Sequence, residues 1–186
     1  MDITRSAVWQ LLNQYTKKDA LIKHALAVEA AMRAYAKKFG EDEELWGAVG
    51  LLHDFDYDAY PVPENGGHPY KGNQILTDLG CPEEIRTAIM GHAHFTGTPR
   101  TTTMAKALFA VDELCGFVMA VAYVRPEKLN GMTASSVKKK LKDKAFAAKV
   151  NRAEIEQGAV ELGVEKDEHI ETVISALQSS ANELGF

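Results

Sequence analysis

Apolar residues recur three and four positions apart along almost the whole chain, and nowhere do apolar and polar residues alternate over the length of a strand. A helix turns once in about 3.6 residues, so this spacing lines one helical face, whereas a half-buried strand needs a period of two. The expected fold class is therefore all-α. Helices are predicted over about residues 3–15, 18–39 and 42–52, with Gly40 closing the second. Beyond a loop rich in Pro and Gly, "HPYKGNQILTDLG" reads as a helix ended by Gly80, and Pro82 suits the first position of the helix carrying "EEIRTAIMGHAH". A long helix over about residues 102–123 stops before Pro126, and three or four further helices follow, with caps expected at Thr133, Asn151 and Asp167. No repeat or long linker divides the chain, so residues 1–186 read as one domain.

A chain of 186 residues is long enough to bury close to ~70% of its unfolded surface without a disulfide. Two cysteines, Cys81 and Cys115, are too few for a disulfide framework, and "MDITRSAVWQLLNQYTKK" lacks the apolar core of a signal peptide. A cytoplasmic location is expected. No apolar run approaches the ~20 residues that span a bilayer, because "MAKALFAVDELCGFVMAVAYV" contains Asp112 and Glu113. The net charge of −5 argues against general nucleic-acid binding. The basic run "KKKLKDK" over residues 138–144 reads as the solvated side of a helix, having few aromatic neighbours to stack on bases.

The chemistry lies in histidines and aspartates on apolar faces. His24 shares a helical face with Ala20, Leu21, Ala27, Val28 and Ala31. Asp112 sits among Leu108, Phe109, Cys115 and Gly116, where an ionised carboxylate needs a partner, and no lysine or arginine shares the face. His53 ends another apolar face, with Asp54 directly after it. Neighbouring residues on a helix point about 100° apart, so this pair can approach one ion from two sides or let the carboxylate bridge a second. His68 follows the loop, and His92 and His94 end their own helix. One such histidine is ordinarily a hydrogen-bonded core residue. Five of the six, with two carboxylates, form a nitrogen and oxygen set large enough for one or two divalent transition-metal ions: iron, manganese, nickel, cobalt or zinc. The sixth, His169 in "EKDEHIETV", lies among charges and is expected at the surface.

The order His24, His53 with Asp54, His68, His92, Asp112 resembles the signature of the HD superfamily of metal-dependent hydrolases. "HPYKGNQIL" is similar to the His-Pro-x-x-Gly helix start of the two-metal members, including the HD-GYP phosphodiesterases. The resemblance covers about residues 20–125, leaving a helical extension over about residues 132–186 that is similar to a small bacterial branch of predicted HD hydrolases. It implies a helical bundle enclosing the metals: His24, His53, Asp54 and Asp112 on one ion, His68 and His92 on a second, and Asp54 between them. His94 is implied as a ligand or a proton-transfer group. Ala93 separates it from His92, "FTGTPRTTT" replaces the Gly-Tyr-Pro element, and "HDFDYD" lacks the lysine that follows the His-Asp pair in HD-GYP members, so cyclic dinucleotide hydrolysis is not expected.

The function this implies is hydrolysis of a phosphate ester or nucleotide, phosphomonoester or phosphodiester, on a small phosphorylated substrate. Asp54 would orient the nucleophile and Lys71, one turn from His68, would meet the phosphate, with Arg100, Lys106 and Arg125 as further contacts. The loop "DFDYDAYPVPEN" reads either as a lid, with Tyr57 or Asp58 donating a proton to the leaving group, or as residues chosen for turn geometry. Two other functions are compatible with the ligand set: a di-iron oxygenase on the same fold, and a non-catalytic metal-binding regulatory module.

Overall fold

A computed structural model describes residues 1–186. The chain forms ten α-helices and no strand: α1 Arg5–Tyr15, α2 Asp19–Phe39, α3 Glu43–Leu52, α4 Tyr70–Asp78, α5 Glu83–His92, α6 Thr103–Tyr123, α7 Ala134–Leu141, α8 Arg152–Leu162, α9 Lys166–Ser179 and α10 Ala181–Leu184. The 3-10 turns Pro63–Asn65 and His94–Thr96 lie in the connections.

Local chemistry sets most of the boundaries. The side chains of Asp42, Thr102, Thr133 and Asn151 accept hydrogen bonds from the first free amides of α3, α6, α7 and α8. Gly40 ends α2 in the left-handed conformation, at φ 73°. Two starts differ from expectation. Pro82 has ψ 141° and precedes α5 as its cap residue, so the helix begins at Glu83. Asp167 lies inside the first turn of α9, where its charge favours the helix dipole, and extended Glu165 precedes that helix instead.

The two longest helices, α2 and α6, each of 21 residues, form the centre of the bundle. A cluster of 44 buried residues runs from Val8 in α1 to Leu184 in α10, so the C-terminal helices share the apolar core of the rest. α3 is buried at every position from Trp46 to Leu52, which explains its nearly continuous apolar sequence. α8 packs against α6 through Gly158, where a Cβ would come within 2.6 Å of the Ala110 Cα. No helix is long and apolar enough to cross a membrane.

The expectation that His169 is a surface residue is wrong. It is 0% exposed. The Tyr35 hydroxyl lies 2.5 Å from Nδ1, and Nε2 donates to the Ala110 carbonyl at 2.9 Å, which ties α9 to α2 and α6. Burial, assisted by Lys38, pushes its pKa down to about 4, so the ring is neutral. The basic run is solvated: Lys138 pairs with Asp167, Lys140 lies over the Phe146 ring, and Lys139, Lys142 and Lys144 are exposed.

Candidate metal centre

Six side chains from separate parts of the fold meet in one place. His24 comes from α2, His53 and Asp54 from the end of α3, His68 from the residue pair before α4, His92 from the last turn of α5, and Asp112 from the middle of α6. Each apolar face that carried one of them turns inward because its helix packs on the common core. The ligand atoms fall into two sets, His24 with His53 and Asp112, and Asp54 with His68 and His92, each within 4.8 Å.

Asp54 joins the sets. Its Oδ1 is 3.2 Å from Nε2 of both His68 and His92, and its Oδ2 is 3.6 Å from Nε2 of His53. On the other side, Asp112 Oδ1 is 2.9 Å from His24 Nε2 and 3.5 Å from His53 Nε2. The two Nε2 atoms of His24 and His53 are 3.3 Å apart.

The ring orientations test whether these residues suit a metal. His53 and His92 each direct Nδ1 at a backbone carbonyl, of Gly50 and Ile89, and His68 directs its Nδ1 at Asp56 Oδ1, 2.8 Å away. A neutral ring donating from Nδ1 presents a lone pair at Nε2. Here those lone pairs point at carboxylate oxygens and at one another, which is repulsive unless a proton or a cation lies between. Such Nδ1 anchoring is what orients metal-binding histidines, and the mixed nitrogen and oxygen set suits a divalent transition metal. Without a cation the electrostatics compensate by protonation. Burial opposes charging of His92, but Asp54 and Asp112 outweigh it and push its pKa up to about 9. His53 is raised by the same balance, and Asp54 and Asp112 are held below the usual carboxylate range by the facing imidazoles in spite of burial.

The centre opens into a cavity of about 440 Å³. Tyr57 lines it, with its ring edge-on to His68 at 5.3 Å, as do His94 and Phe95. His94 is exposed and belongs to neither ligand set. Glu113 and Glu154 complete the polar lining, and burial together with the Asp112 charge pushes the Glu113 pKa up to about 7.

The cations expected to meet a phosphate lie elsewhere. The Arg100 guanidinium grips both oxygens of Glu161 at 2.7 and 2.8 Å and donates to the Gly91 carbonyl. Arg125 closes its own turn by donating to the carbonyls of Lys128 and Asn130. Lys106 is six residues before Asp112 on α6, about 120° from it around the helix, and is not in the lining. Lys71 places its ammonium 5.6 Å from the Tyr60 ring centre, beside the 60–67 loop. Asp58 is not in the cavity lining: it accepts from the Lys17 and Lys18 amides and pairs with the Lys18 ammonium, fastening the loop to the start of α2.

The parts that three residues take at the centre were not legible in the sequence. Asp56 is 1% exposed, takes His68 Nδ1, and accepts the Gly72 amide at 2.6 Å. Its position two residues after Asp54 was the available signal. Glu113 follows Asp112 directly, but Glu154 is distant in sequence and only tertiary packing brings it in.

Four imidazoles and two carboxylates converging from four helices and a loop define an all-helical protein built around a metal-type centre. The HD domain family model matches residues 21–116, more than half of the chain and inclusive of all six residues. The chain belongs to the HD domain family, a superfamily of metal-dependent hydrolases. No curated protein and no solved structure matches it.

Proposed function

We propose that this protein is a metal-dependent phosphohydrolase acting on a phosphate ester with one or two divalent transition-metal ions. The observation that carries the reading is the pair of adjacent ligand sets with Asp54 facing both. His24, His53 and Asp112 would hold one ion, His68 and His92 the other, and Asp54 would serve both. When bound, such ions supply Lewis-acid polarisation of phosphoryl oxygens and a water acidic enough to attack at neutral pH. The chain's own part is orientation: Gly50, Ile89 and Asp56 fix three imidazole rings, and burial of His53, His68 and His92 keeps bulk water from them. Tyr57 and His94, both on the cavity wall, are the groups in place to pass a proton to a leaving alcohol.

One observation favours a second reading. No lysine or arginine lines the cavity, which suits an organic substrate of a di-iron oxygenase as well as a phosphate neutralised by metal alone. Elemental analysis of protein purified without oxygen or added metal, with His53→Ala alongside, tests both. One or two equivalents in the wild type, with the ion of His24, His53 and Asp112 lost in the variant, and phosphate released from p-nitrophenyl phosphate by the wild type, are expected. Two equivalents of iron with substrate-dependent oxygen uptake and no phosphate release would move the assignment to the oxygenase. Absence of metal even after soaking would overturn both.

A further inference from the structure

The lining of the cavity is acidic beyond its metal-type centre. Glu113 Oε2 accepts the Asn151 amide at 3.1 Å, and Glu154 Oε1 accepts the Asn151 side-chain amide at 2.7 Å. Asn151, the cap of α8, thus holds both carboxylates on one wall and leaves one oxygen of each without such a donor. Neither meets a lysine or arginine; the nearby Arg152 is spent on five backbone carbonyls between Leu141 and Val150. Both carboxylates line the cavity, so their remaining oxygens are placed to accept hydrogen bonds from a cationic ligand. The same cavity holds the metal-type centre: His68 and His92, 6% and 5% exposed, line it with Nε2 atoms 3.2 Å from Asp54 Oδ1.

Resting on the phosphohydrolase reading, we propose that Glu113 and Glu154 select the substrate by binding an ammonium group, so that the substrate class is a small aminoalkyl phosphate. The phosphoryl end lies at the imidazoles, and the ammonium takes the free oxygens of the two glutamates. A volume of about 440 Å³ is at the small end of ligand pockets, and a wall without cations is unsuited to a polyphosphate. Tyr57 and Phe95 supply the flanking apolar surface for the linking methylenes.

The test compares 2-aminoethyl phosphate with ethyl phosphate and 2-hydroxyethyl phosphate, by calorimetric binding to metal-loaded protein. The wild type is expected to prefer the amine over both by about tenfold or more, the scale of one charge-assisted contact. In Glu113→Gln/Glu154→Gln that ratio falls to about one, and Glu154→Gln alone, further from the ligand residues, lowers it part of the way. Equal affinity for all three, or no binding of the amine, overturns the proposal, as does a preference that survives the double variant. Preference for both the amine and the hydroxyl over ethyl phosphate assigns the wall to hydroxyl recognition and overturns it too. Metal content and phosphate release from p-nitrophenyl phosphate, measured in parallel, report on the phosphohydrolase reading separately.

Discussion

Asp56 satisfies two buried donors at once, the His68 ring and the Gly72 amide, and so sets the angle at which His68 enters the centre. Replacing it by Ala leaves both donors without an acceptor. Metal titration of Asp56→Ala is expected to show one of two sites weakened by about 10- to 100-fold, the usual cost of losing a group that orients a ligand, with the other site unchanged. Identical isotherms for variant and wild type would remove Asp56 from the centre. At this scale His24, His53 and Asp112 stood out because an imidazole or carboxylate on an apolar face is costly without a partner, whereas Asp54, His68 and His92 joined them through their place at helix ends and the resemblance to the HD order. As a loop residue Asp56 carried no sign that it would hold His68, and the sequence carried no sign of Glu161 or of the carbonyls that occupy Arg100 and Arg125.

Helix boundaries are local events, and they were read well where a side chain caps the first amides. Asp42, Thr102, Thr133 and Asn151 each do so. Pro82 and Asp167 were misplaced within the first turn because backbone torsion, not residue type, decides between cap and first helical position. The closeness of α8 to α6 was not legible at all. It depends on Gly158, whose added Cβ would strike the Ala110 backbone rather than a movable side chain. Gly158→Ala is expected to lower unfolding free energy by about 1–3 kcal/mol, read as a lower denaturant midpoint at unchanged slope. An unchanged midpoint would show that the two helices separate without cost.

Across the whole molecule, His169 couples three helices, and its burial has a pH consequence. Its pKa is about 4 in the folded chain and about 6.5 when unfolded, so the unfolded state binds the extra proton between those values. Its contribution is complete above about pH 6.5 and is lost as pH falls toward 4. Between pH 7 and pH 5 the wild type is expected to lose on the order of 2 kcal/mol more than His169→Gln, whose amide can keep both hydrogen bonds without charging. The comparison cancels His53 and His92, which are raised and act in the opposite direction. Parallel stability curves would show that His169 titrates normally. The burial itself had a sequence signal, since Ile170, Val173, Ile174 and Leu177 mark an apolar stripe beside it that its charged neighbours mask.

By itself the sequence determined the helical class, most caps and the ordered set of metal-type residues, because periodicity, capping and the cost of burying polar groups act within a few residues of the chain. Tertiary structure alone decided that Asp54 stands between two ligand sets, that the expected cations lie outside the cavity lining, and that Glu154 joins Glu113 on the cavity wall. Those are distances between helices far apart in sequence, and only packing of the common core sets them.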